Sequence, residues 1–302
     1  MSYPTRIDFS DAPATLTFKD GTTTEALMTG YATPTTAVAP VAPTRFGIDP
    51  SQSTDAEYLQ DLKWFPGAKI GASYCSPGAG WPQWASHWVA PMVKAGMEIT
   101  FSAKDFDLAS AIANWDAMPA DDGRIWRYCP WTECNRPTAK LPPPLATYRA
   151  FTQSLLAARD KHRNAKRIKI GPVFNWFPAA VGLNEGTPWR EWIVDGVDFI
   201  GWDQYLANGL GALAAPDQFI ALPVASGKEF GKPVVIREFG CASSQTDAVS
   251  AAFIDKVVPA YRAAGVESVA YFNYTQGTSG ARITPTGRPL AYAAWNRALI
   301  GQ

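Results

Sequence analysis

From Arg45 onward come eight short apolar runs with strand character, and helical patterns follow nearly all of them. The strand candidates are RFGID (45–49), AKIGASY (68–74), MEITFSA (97–103), RIWRY (124–128), RIKIGPVF (167–174), VDFIGWD (197–203), PVVIREF (233–239) and ESVAYFN (267–273). Helical stretches are expected at 55–64, 84–95, 108–118, 147–163, 189–194, 247–264 and 290–300, with Ser53-Thr54-Asp55 and Thr246-Asp247 as N-cap signals. Strands that alternate with helices pair in parallel through crossover connections. Eight such units over residues 45–302 match the count of a closed (β/α)8 barrel, the TIM-barrel form of the α/β class. An open doubly wound sheet is the alternative. It usually shows a Gly-rich phosphate turn after its first strand, whereas here that strand runs into Asp49-Pro50-Ser51-Gln52.

Residues 1–44 have a different texture. A Thr-rich stretch at 14–28 has Asp20-Gly21 at its middle, which is a hairpin signal. The segment YATPTTAVAPVAPT (31–44) is Pro-rich and uncharged, so it reads as an extended arm. The expected division is an N-terminal extension at 1–44 (hairpin plus Pro/Thr-rich arm) and a barrel domain at 45–302. The arm is either a linker lying on the barrel or an attachment segment for a larger protein assembly.

Composition narrows the partners. Lys plus Arg equals Asp plus Glu at 27 each, so the chain lacks the basic footprint that nucleic acid or an anionic membrane requires. No apolar run approaches the roughly 18 residues of a membrane span, and MSYPTRIDFSD has neither the basic nor the apolar region of a secretory signal. The twelve tryptophans suit either stacking on sugar rings or a large core.

In a barrel of this kind, chemistry lies at the C-terminal ends of the strands. Those ends offer Asp49, then Tyr74 and Cys75, then Lys104 and Asp105, followed by Trp131, Glu133 and Asn135. After them come Asn175 and Trp176, then Trp202, Asp203, Gln204 and Tyr205, then Glu238, and lastly Asn273 and Tyr274. Carboxylates, amides and aromatics dominate, an inventory suited to holding hydroxyl-rich rings and cleaving acetals. The two histidines, His87 and His162, fall in helical patterns away from these ends, which argues against zinc hydrolysis and a Ser-His-Asp device. The four cysteines, Cys75, Cys129, Cys134 and Cys241, form no CxxC pair, so reduced packing thiols are expected, with no metal and no cofactor. Glu133 and Glu238 stand out as the sharpest pair.

The segment Trp131-Thr132-Glu133-Cys134-Asn135 after strand 4, together with Ile236-Arg237-Glu238-Phe239-Gly240 ending strand 7, resembles the clan of (β/α)8 retaining glycoside hydrolases. The Glu-x-Asn order, the upstream Arg127 and Gly201-Trp202-Asp203-Gln204-Tyr205 resemble its mannanase-like family 26 in particular. The resemblance implies Glu133 as acid/base and Glu238 as nucleophile; the chemistry asks that the nucleophile stay ionised, for which Arg127 or the Tyr205 hydroxyl are the expected donors. Substrate-binding candidates are Asp49, Arg127, Trp131, Asn135, Asn175, Trp176, Trp202, Asp203, Tyr205, Asn273 and Tyr274. Each of Trp131, Trp176 and Trp202 is either a sugar platform or a plug in the barrel mouth. Asp49, Asp105 and Asp203 either bind hydroxyls, cap helices or pair with Lys104 and Arg127.

The chain departs from the clan at three places. Thr132 stands where Asn or His usually precedes the acid/base Glu, strand 8 reads Tyr271-Phe272-Asn273-Tyr274 without the usual Trp, and Arg127 lies six rather than four positions before Glu133. The expected function is cleavage of a polysaccharide or cell-surface glycan by retention; the alternative is a non-catalytic carbohydrate-binding or structural barrel module. An enzyme for surface glycans without an export signal suggests a virion component such as a bacteriophage tail protein. A cytoplasmic glycosidase, or one exported by a non-classical route, is the other expectation.

Overall fold

The computed structural model of the protein describes residues 43–50, 54–75, 78–135, 143–176, 188–206, 215–274 and 281–302, together with the backbone of three strands nearer the N-terminus. Those three strands, β1 (Pro4–Asp8), β2 (Ala14–Phe18) and β3 (Thr23–Ala26), form an antiparallel sheet in the order β1-β2-β3. The expected hairpin is the β2–β3 pair, in register from Ala14 opposite Ala26 to Thr17 opposite Thr23. The Asp20-Gly21 turn, and the arm at 31–44 apart from its last two residues, lie outside the described residues.

The barrel strands follow in order: β4 (Arg45–Asp49), β5 (Ile70–Cys75), β6 (Glu98–Ala103), β7 (Trp126–Cys129), β8 (Ile168–Ile170) with β9 (Val173–Asn175), β10 (Ile200–Leu206), β11 (Val234–Cys241) and β12 (Ser268–Phe272). All neighbouring barrel strands pair in parallel, in two runs, β5-β6-β7-β8 and β9-β10-β11-β12-β4. Two features close the ring. The Lys69 amide donates to the Phe46 carbonyl (2.9 Å), tying β5 to β4. At the other seam, β8 and β9 are two halves of one strand interrupted at Gly171-Pro172, where proline has no N–H to give a ladder. The first half pairs with β7 and the second with β10. The chain therefore folds as a (β/α)8 barrel of the TIM type.

Helices α1 (Asp55–Trp64), α2 (Ala90–Lys94), α3 (Leu108–Asp116), α4 (Leu145–Lys161), α5 (Pro216–Phe230), α6 (Asp247–Ala263) and α7 (Pro289–Ile300) connect the strands. Two caps are as expected: the Thr54 and Thr246 hydroxyls accept from the amides of Glu57 and Val249, each at 3.2 Å. Three expectations are corrected. The stretch 84–95 is helical only from Ala90, because Pro91 suits a helix start better than an interior. The stretch 189–194 is a 3-10 turn, Trp189–Trp192. Helix α5 was not expected at all: Pro216, Pro223 and Gly227 each argue against a helix, yet Pro216 opens it and Gly231 closes it in a left-handed turn (φ 61°). A side chain at position 227 would strike Val234, so glycine there lets α5 approach the sheet.

Alternate strand positions face helices and barrel interior. Outward residues such as Phe46, Ile48, Ile236 and Phe239 join one large apolar cluster with the helices. Inward positions form layers. At the N-terminal end Arg127 pairs with Glu98 (2.9 Å) and Glu267, and Arg45 pairs with the same two acids. Cys129, Val173, Phe199 and Val235 make a small apolar layer beyond it. The polar residues of the C-terminal mouth lie past that layer.

Candidate active site

Strand β11 carries a bulge at the mouth. Its pairing with β10 runs Trp202 opposite Ile236 and then Asp203 opposite Glu238, so Arg237 has no counterpart. The register with β12 skips at the same place, between Ile236 and Phe239. A bulge breaks the two-residue alternation and re-aims side chains. Here it turns both Arg237 and Glu238 inward, between outward Ile236 and Phe239. Arg237 is 2% exposed and Glu238 8%. Nη1 of Arg237 donates to Glu238 Oε1, to Asp203 Oδ2 (3.0 Å) and to Thr132 Oγ1 (3.1 Å). The Tyr205 hydroxyl donates to Glu238 Oε2, and the guanidinium lies 5.2 Å from the centre of the Tyr74 ring.

Glu133 follows strand β7 in a turn. Its backbone is left-handed (φ 53°), alone in this among the described non-glycine residues, and such a conformation in glutamate persists only where surroundings impose it. The surroundings here are a bridge between Thr132 and Val173 and a bond from the Glu133 amide to the Val173 carbonyl (2.8 Å). The side-chain amide of Asn175 donates to Glu133 Oε1. Asn175 is itself fixed by Asn135: the Asn175 amide donates to Asn135 Oδ1 (2.8 Å), and Asn135 Nδ2 donates to the Asn175 carbonyl (2.9 Å).

Electrostatics at the mouth are crowded. Asp49, Asp203 and Glu238 are buried around one buried cation, Arg237. Burial raises the Glu238 carboxyl above its ordinary value; Arg237 opposes this, and the charge of Glu133 adds to it. Asp203 is raised well above the usual range by burial and then by Glu238. Asp49 is raised in the same way and by the same two causes. Burial and the Glu238 charge also raise the Tyr205 hydroxyl, so it stays a donor.

The structure brings Glu133, Glu238, Asp203, Tyr205, Asn135 and Asn175 together at one mouth. Trp131 stands there too, half-buried against Phe106 (5.2 Å between ring centres). Tyr274 is half-buried beside Phe272. Other candidates go elsewhere. Trp202 is fully buried toward α5, its Nε1 bonded to Ser226 (3.0 Å), and Trp176 packs on Phe219 at 4.9 Å; both serve the core. Asn273 is buried and accepts from the Ile283 amide (2.7 Å), which pins the segment after β12. Arg127 is not at this end: as an inward residue in the first half of β7 it meets the acids of the opposite mouth. The cation bonded to Glu238 is Arg237, a residue the sequence hid because its inward aim depends on the bulge. The cysteines are free thiols, and Asp49 is buried at the end of β4.

No protein-family model and no curated protein sequence matches the chain. Solved structures do. An endo-β-1,3-glucanase of family GH128 from Sorangium cellulosum superposes with TM-score 0.58 at 19% identity, covering 84% of this chain and 98% of that one. What the chain shares with it is the (β/α)8 barrel fold. A fungal β-1,4-galactanase gives TM-score 0.56 at 14% identity, covering 85% of this chain and 100% of its own. The endo-β-1,4-mannanase of Thermotoga petrophila gives 0.54 at 12%, covering 86% and 77%. A GH128 endo-β-1,3-glucanase from Amycolatopsis mediterranei, similar at TM-score 0.55, 16% identity and coverage of 84% and 99%, was solved as a glutamate variant holding laminaripentaose.

Proposed function

We propose that the protein is a glycoside hydrolase that cleaves a β-linked polysaccharide internally and with retention. One observation carries the reading: two glutamates, one in the turn after β7 and one at the bulge of β11, share a mouth, each with its own polar donors. Asn175 serves Glu133, while Arg237 and Tyr205 serve Glu238. Their roles differ because their settings differ. Glu238, gripped by a guanidinium and a phenol, is suited to act as the ionised nucleophile on the anomeric carbon. Glu133, half-buried and bonded by a neutral amide, is suited to protonate the leaving oxygen. After the glycosyl–enzyme ester forms on Glu238, Glu133 takes a proton from water, which attacks the anomeric carbon and frees the sugar. Retention of this kind requires carboxyls about 5–5.5 Å apart. The β-linkage and internal cleavage are carried over from the printed activities of the similar structures. A kinship with the mannanase-like family 26 and an attachment role for residues 1–44 in a larger particle belong to the same proposal.

The test is a panel of β-glucans, galactans and mannans, with the anomer of the first product followed by proton NMR. Initial release of the β-anomer supports retention. Release of the α-anomer refutes it, and glycan binding with no cleavage of any member favours a binding module instead.

A further inference from the structure

Several buried polar atoms near the two glutamates have no hydrogen-bond partner among the described residues: both carboxyl oxygens of Asp49, Oδ1 of Asp203, Nε of Arg237 and Nδ2 of Asn273. They lie at the end of β4, just after β12 and within β11 and β10, strands that are consecutive around the barrel. Asp49 is the extreme case. It is 1% exposed, it alternates with outward Phe46 and Ile48, and its backbone carbonyl is held by the Asn273 amide at 2.9 Å. A carboxylate buried without a donor is not sustained in its charged form, whereas a carboxylic acid is.

The titratable and charged groups near enough to interact electrostatically with Asp49 are Tyr58 and Asp61 from α1, Tyr74 from β5, and Arg237 and Glu238 from β11. Arg237 is the one cation among them, and it is committed elsewhere. Its Nη1 carries two protons and already meets three acceptors, on Thr132, Asp203 and Glu238. We propose that Asp49 carries the proton this acid cluster must retain, and that losing it at higher pH turns Arg237 away from Glu238 and ends activity on the alkaline side. On ionisation the proton passes to hydroxide, and the new carboxylate has two unsatisfied donors to recruit, Arg237 Nε and Asn273 Nδ2. Drawing the guanidinium by Nε weakens the bond from Nη1 to Glu238. Burial and the Glu238 charge raise Asp49, in the direction this requires. Asp49 is thus a positioning residue that acts through Arg237. The activity half of the proposal rests on the hydrolase reading; the protonation half does not.

The experiment is a carbon-13 NMR titration of the aspartate carboxyls in the wild-type protein, D49N and E238Q, with Asp49 assigned through its own amide. The expected result is an Asp49 carboxyl still protonated at pH 7 in the wild type, absent in D49N, and losing its proton at lower pH in E238Q. An Asp49 already ionised at pH 7 overturns the proposal, and this holds even should D49N fail to fold. For activity, the alkaline limb of polysaccharide cleavage is expected to lie about one pH unit higher in D49N than in the wild type. Coincident limbs overturn the link to Glu238. A wild-type protein that cleaves nothing fails the hydrolase reading and leaves the NMR result to decide Asp49 by itself.

Discussion

Arg237 and Glu238 are consecutive in the chain, yet both side chains enter the barrel mouth, where the guanidinium of the first bonds the carboxylate of the second. In a regular strand they would face opposite sides. The bulge gives one strand two adjacent inward polar groups. Through the same Nη1, Arg237 also holds Thr132, the neighbour of Glu133, at 3.1 Å. One buried cation therefore links the segments that carry the two glutamates.

Removing that cation should be costly. R237Q leaves Asp203 and Glu238 buried without a counter-charge, and breaking a buried pair in this way typically costs about 3–5 kcal/mol. Urea unfolding at pH 7 should show a loss of that order. At pH 4, where the two raised carboxyls are protonated, the need for a cation fades and the loss should shrink. An equal loss at both values would mean that Arg237 matters for packing rather than for charge.

Asp49 should leave a mark on stability as well. Its carboxyl is raised in the folded protein, by burial first and by Glu238 second. A carboxyl raised in this way binds its proton more tightly in the folded state than in the unfolded chain. Its favourable contribution is therefore complete at acid pH and is lost as the pH climbs from the ordinary carboxylate range through the raised value. D49N removes this dependence, since the amide is neutral throughout. The urea midpoint of D49N relative to the wild type should rise between pH 4 and pH 8; a relative midpoint that falls over that range contradicts the assignment.

Much of this architecture was legible in the sequence. The eight barrel strands are apolar runs whose outward residues meet helices, and that pattern survives in one dimension. Glu133, Asp203, Tyr205 and Glu238 could be placed at the mouth because strand ends could be counted. Other features have no one-dimensional signature. Helix α5 is stabilised by packing of Phe219 and Ile220 in spite of two prolines, so local propensity pointed the wrong way. Trp176 and Trp202 read like Trp131 in the sequence, but only the fold decides which tryptophans face helices. Arg127 and Arg237 exchanged expectations for a related reason. The height of an inward residue along a strand, and a one-residue bulge, decide which cation meets the glutamates.

Deleting residues 1–44 tests the proposed division of the chain. The β1-β2-β3 sheet shares no hydrogen-bonded strand with the two runs of the barrel. The barrel at 45–302 should therefore remain soluble and keep its activity on polysaccharide, while losing attachment to any larger particle isolated from the native source. An unfolded truncated barrel, seen by circular dichroism, would show instead that the extension is part of the barrel's own stability.

The central claim is that Glu133 and Glu238 break glycosidic bonds, and it is tested most directly by release of reducing sugar. The wild-type protein, E133Q and E238Q would be assayed side by side on the polysaccharide that the wild type cleaves best, with circular dichroism confirming that each is folded. The account predicts that either substitution lowers the rate by about 10²–10⁴-fold or more. Folded variants that both cleave at the wild-type rate would contradict it.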